Sequence, residues 1–209
     1  MMMKDKHGTL QARGTGIVRV APDEALVHLR VMTEAKTASE AVQTNAKLTQ
    51  DVIDAVSAEP NHGVTTTGLS VNPIIRYDSQ TNTPTIIGFR ATNGVEVKTK
   101  VGYAGQIYDA GIKAGANVSS GITFRIQNET PHREEALRMA AEEAFTQASI
   151  VAKTADVELM EPQEIVLNPS SGPVLYRSQA LEAKAAATPV MPEELTISAS
   201  VQIVYRTKG

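Results

Sequence analysis

The chain has 209 residues, a formal net charge of −3, 42% hydrophobic and 21% charged residues, and neither cysteine nor tryptophan. This is ordinary globular composition with enough apolar side chain for a core. It excludes disulfides and thiolate chemistry. The absence of any Lys/Arg run argues against a nucleic-acid partner, and no stretch approaches the roughly 20 apolar residues of a membrane helix.

Residues 1–13 are polar and charged with no apolar run behind them. They read as a flexible N-terminal tail and not as a signal peptide. Over residues 13–33 the apolar positions alternate, with Ala25, Val27, Leu29 and Val31 on one side and Glu24, His28 and Arg30 mostly on the other. That period of two predicts a half-buried strand. Pro22-Asp23 interrupts it, so a hairpin or bulge is expected there, with a first strand over 15–20. Thr37-Ala38-Ser39-Glu40 has the form of a capping box. Ala41, Val42, Leu48, Val52 and Val56 follow at helical spacing, and Pro60-Asn61-His62-Gly63 ends the helix. Asn45 lies on the apolar stripe and is expected to tie the helix to a neighbouring backbone.

Residues 64–99 read as two long strands around a turn-rich stretch at 78–84. Ile87, Phe89, Ala91, Val95 and Val97 would share one face of the second strand. Pro73 has no N–H for a ladder and pushes the first strand to an edge or a bulge. A short helix over 104–114 closes at Gly115, and a strand over 118–127 turns Ile122, Phe124 and Ile126 inward. Thr130-Pro131 then opens the longest helix, with Thr130 as N-cap and Pro131 at N1. Its expected stripe is Leu137, Ala141, Ala144, Ala148, Val151 and Ala155, with Glu134, Glu135, Glu142 and Glu143 on the wet side. A short strand over 163–167 leads into 168–192, whose Ser, Gly, Pro and Ala content predicts a long surface loop. The last strand is the clearest. Leu195, Ile197, Ala199, Val201, Ile203 and Tyr205 line one side, and it should pair inside a sheet. Hairpins separated by helices, without regular βαβ alternation, give an α+β fold with antiparallel sheet and amphipathic helices on one face. The expectation is one domain over 14–207.

The search for chemistry returns no catalytic, cofactor-binding or metal-binding residues. His7, His28, His62 and His132 fall in a tail, on a strand, in a turn and at a helix start. None has an i, i+4 partner or nearby carboxylate of the kind a zinc site needs. Gly14-Thr15-Gly16 opens a strand and no helix, so it is no phosphate cradle. Ser170-Ser171-Gly172 has no evident base, and no G-x-S-x-G is present. The glutamate pairs 134–135 and 142–143 read as a solvated helix face.

Several segments together resemble the SIMPL-domain family, a largely bacterial group that includes periplasmic immunogenic proteins. They are Gly14-Thr15-Gly16 with Pro22-Asp23-Glu24-Ala25, Ala41 and Asn45, Gly88-Phe89-Arg90-Ala91, Gly115-Ala116-Asn117 with Gly121-Ile122-Thr123-Phe124, and Glu135-Ala136-Leu137 with Ala140, Ala144, Ala148 and Lys153. Pro189-Val190-Met191-Pro192 before the last strand completes the set. The resemblance implies an α+β domain, often exported, with some members forming rings or other oligomers, and a link to envelope or oxidative stress. It supplies no agreed catalytic residues. A non-catalytic, self-associating homo-oligomer of the periplasm is therefore the first expectation for function. The alternative is a small-molecule or peptide binding module that uses residues 168–192 as an arm. Residue composition alone suits cytoplasm and periplasm equally.

Overall fold

The computed structural model describes residues 7–168, 177–178 and 188–209. Three helices and two antiparallel sheets make an α+β fold. The elements run β1 (His7–Val20), β2 (Glu24–Ala35), α1 (Ala38–Ser57), β3 (Gly63–Tyr77), β4 (Pro84–Lys100), α2 (Ala104–Lys113), β5 (Val118–Arg125), α3 (Thr130–Thr154), β6 (Glu158–Asn168), β7 (Arg177–Ser178) and β8 (Leu195–Lys208). The chain divides into two compact units where the sequence suggested one. One holds described residues 7–21, 126–168 and 194–209, the other 22–125, 177–178 and 188–193.

The first unit is a three-stranded sheet in the order β1-β8-β6 carrying α3. β8 is central, as its strict alternation predicts, and Leu195, Ile197, Ala199, Val201, Ile203 and Tyr205 are all buried. β1 pairs with it from His7↔Lys208 to Val20↔Leu195, so residues 7–13 are strand and not tail. The alternation of this stretch is weak in its sequence because small residues, Ala12, Gly14 and Gly16, fill the buried positions. Gly14 and Gly16 explain why. A Cβ on Gly14 would collide with the Ala140 carbonyl, and one on Gly16 with the Ala136 carbonyl. The α3 backbone thus lies almost directly on β1, and only glycine on the strand with alanine on the helix permits that approach. The buried helix face is Ala136, Ala140, Ala144, Ala148 and Ala152. The expected stripe is correct only at Ala144 and Ala148, with Leu137 partly buried beside them; Val151 is exposed. Thr130 is the first helical residue and Glu129 the cap, one position earlier than predicted.

The second unit is a five-stranded sheet in the order β3-β4-β2-β5-β7, with α1 and α2 packed on its core face. The chain changes sheet at Pro22-Asp23, so a crossover stands where a hairpin or bulge was expected. Ala25, Val27, Leu29 and Val31 of β2 are buried with Val95 and Val97 of β4 and Ile122 and Phe124 of β5. Thr37 caps α1, its hydroxyl accepting from the Glu40 N–H. Asn45 does what its position suggested. Its Nδ2 donates to the Val31 carbonyl at 2.9 Å and the Ala91 carbonyl at 3.2 Å, joining α1 to β2 and β4. Thr49 donates to its Oδ1 at 3.3 Å. Val42, expected on the stripe, faces outward, and Thr49 takes a place on it. α2 closes on Gly115, whose φ of 120° suits glycine. Of the loop expected over 168–192, Asn168 ends β6, Arg177–Ser178 pair with β5, and most of the rest lies outside the described residues.

Candidate functional site

The β3–β4 hairpin is built from long strands whose two halves have different surroundings. Near its base Val95 and Val97 are buried beneath α1. Beyond Phe89 the strands continue to Tyr77 and Pro84, and apolar side chains stand in solvent there. Tyr77 is 60% exposed and Ile86 58%, with Ile75 and Ile87 also exposed; on the near side of Phe89, Leu69 and Val71 of β3 are exposed too. The register puts Ile75 opposite Ile86 and Tyr77 opposite Pro84, so these share one face. Val71 pairs with Ala91 and stands four positions before Ile75 along β3, which puts Val71, Ile75 and Tyr77 on one side. A row of exposed apolar groups along one strand is uncommon on a surface that meets only water.

β3 is the edge strand that Pro73 implied. Register shifts at Thr67/Ser70 and Ile74/Ile75, on either side of Pro73, break the edge into short lengths. Such breaks hinder uncontrolled strand addition. At the tip, Asp78 Oδ1 accepts from the N–H groups of Gln80 and Thr81, both at 2.9 Å, and from the Thr81 hydroxyl at 3.1 Å. Those hydrogen bonds, led by the one from the Thr81 backbone, hold its carboxyl below the ordinary range. The turn therefore has a fixed shape.

A second cluster lies on the sheet face opposite the helices. His28 Nε2 is 3.2 Å from Thr123 Oγ1, and its Nδ1 is 3.5 Å from Glu96 Oε2. The carboxylate beside His28 is that of Glu96, its direct cross-strand partner 68 positions away. Only the β2–β4 register could reveal that pair. Hydroxyl, imidazole and carboxylate stand in the order of an acyl-transfer triad. The β2–β5 register shifts between His28 and Leu29, beside this cluster. It is a polar cross-strand cluster, like the neighbouring Arg125–Glu24 ion pair, in which Glu24 is buried.

The remaining sequence candidates do not converge. His7 begins β1, His62 donates its N–H to the Lys98 carbonyl before β3, and His132 lies in the first turn of α3. Among the described residues no three His, Asp or Glu side chains gather to hold a metal ion. On α3, Arg138 bridges Glu135 and Glu142, which keeps the Glu135 carboxyl below its usual range. Glu143 accepts the Thr15 N–H of edge strand β1 at 2.6 Å, a structural task the sequence did not disclose. Ser170-Ser171-Gly172 lies outside the described residues. No helix among the described residues is long and apolar enough to cross a membrane.

Comparison with known proteins follows the same outline. The family model SIMPL, described as "Protein of unknown function (DUF541)", matches residues 10–205. The chain is similar to the 26 kDa periplasmic immunogenic protein of Brucella melitensis biotype 1, 26% identical over 218 aligned residues that cover 99% of this chain and 87% of the relative. Its similarity to the protein of the same name from Brucella abortus strain S19 has the same extent. With a match that runs from β1 to β8, the chain belongs to the SIMPL family.

Proposed function

We propose that this is a non-catalytic protein of the cell envelope that works by self-association, with the outer half of the β3–β4 hairpin as its contact surface. The observation that carries the reading is the group of exposed apolar residues on that outer half, Ile75, Tyr77, Ile86 and Ile87, continued along β3 by Val71 and Leu69. Their transfer from water is worth roughly 25 cal/mol per Å² buried, and Asp78 holds the tip in one shape, which lowers the ordering cost of docking. A second copy supplies the same apolar ribbon, and an isologous contact between two hairpins is self-complementary. The periplasmic naming of the Brucella relatives supports an envelope location.

Light scattering on the purified chain at micromolar concentration tests the reading. The expected result is a mass above that of the 22.3 kDa monomer. A monomer at every concentration would overturn it.

A further inference from the structure

Residues 188–192 pass across α2 without joining any strand, and three separate features hold them there. The Asp109 carboxylate accepts twice from Thr188, from its N–H at 2.9 Å and from its hydroxyl at 2.6 Å. Gly105 is buried one helical turn away, and a Cβ on it would strike the Thr188 carbonyl. Two residues on, Val190 packs against the core cluster that contains Ala104 and Ile107. Pro189 biases Thr188 toward the extended conformation that presents its N–H and hydroxyl to one carboxylate.

A charged anchor with two donors, a close-approach glycine and an apolar seat at the second following position are the parts of a peptide-recognition groove. Each part reads a different property of the segment: the hydroxyl, the extended backbone and the β-branched side chain. We propose that this face of α2 is a docking site for an extended Thr-Pro-Val peptide, filled by the protein's own residues 188–190 and able to take the same sequence supplied in trans. Asp109 is its positioning residue. The site is independent of the hairpin surface, and either can fail without the other.

The test begins with Thr188→Val combined with Val190→Ser in the full chain, which weakens the resident segment and leaves Asp109 and Gly105 intact. The probe is the synthetic hexapeptide Ala-Thr-Pro-Val-Met-Pro, titrated while the amide resonances of Gly105 and Asp109 are followed. Saturable shifts are expected in the double variant, with apparent affinity at least about tenfold weaker in the wild-type chain, where the resident segment competes. A peptide carrying Val in place of Thr should leave both resonances unmoved. Equal titration of the two proteins, or no shift in a double variant whose β2 and β4 amides stay protected, overturns the proposal. Asp109→Asn in an otherwise wild-type chain provides a second reading. Hydrogen exchange at the position 188 amide should accelerate by about tenfold, the loss of one charge-assisted hydrogen bond, with β2 and β4 protection unchanged. Unchanged exchange at that amide would equally overturn it.

Discussion

The inner and outer halves of the β3–β4 hairpin belong to one pair of strands, yet they obey different rules. In the inner half Ala91, Val95 and Val97 are buried against α1 and the Asn45 side chain is bonded to the Ala91 carbonyl. In the outer half Ile86 and Ile87, with the same β-forming character, stay in water. Strand propensity therefore extends the ribbon, and the reach of the helix decides where its apolar residues become a core. Along β4 the same side-chain chemistry is buried on one side of Phe89 and exposed to water on the other.

Substitutions divide along that line. The largest expected effect is on the inner side. Phe124→Ala, in the core that the inner hairpin shares, should lower unfolding free energy by about 3–5 kcal/mol in chemical denaturation. Asn45→Ala removes hydrogen bonds from the β2 and β4 carbonyls and leaves Thr49 without its acceptor; it should cost about 1–3 kcal/mol by the same measurement. Ile75→Ser with Ile86→Ser, on the outer side, should stay within about 0.5 kcal/mol for the dilute subunit and lower the mass seen in light scattering. A double variant that unfolds like Phe124→Ala would erase the distinction between the halves. The smallest effect concerns the tip. Because hydrogen bonding lowers the folded-state pKa of Asp78, its contribution is present above the carboxyl's unfolded pKa. It is lost as pH falls through the folded value. Amide protection factors at Gln80 and Thr81, taken relative to the intrinsic rate at each pH, should fall in that acid range and stay constant above it, and Asp78→Ala should lack that protection at neutral pH.

Much of the fold is legible in the residues. β8 declares itself through six alternating apolar positions, Pro73 marks an edge, and Asn45 on an apolar stripe finds two carbonyls. The α3 face was displaced because alanine occurs on several sides of that helix, so its periodicity selects none. The choice is made by Gly14 and Gly16, more than a hundred positions away. Pro22-Asp23 predicts a hairpin or bulge where the chain crosses between sheets, because a turn signal states that the chain bends and not which strand it meets next. For the candidate surface, alternation in residues 84–97 looks alike throughout, and burial separates its halves only once α1 is in place. The His28–Glu96 pair likewise exists only through strand register.

Because the chain contains no cysteine, a single introduced thiol can report on one position. Nitroxide labels attached through Thr85→Cys, at the outer hairpin, and separately through Lys47→Cys, on the exposed side of α1, allow intermolecular spin coupling to be compared. The account predicts strong coupling and slowed label motion at position 85, with neither at position 47. Free, uncoupled motion at position 85 in a sample of elevated mass would contradict it, because the copies would then meet through another surface.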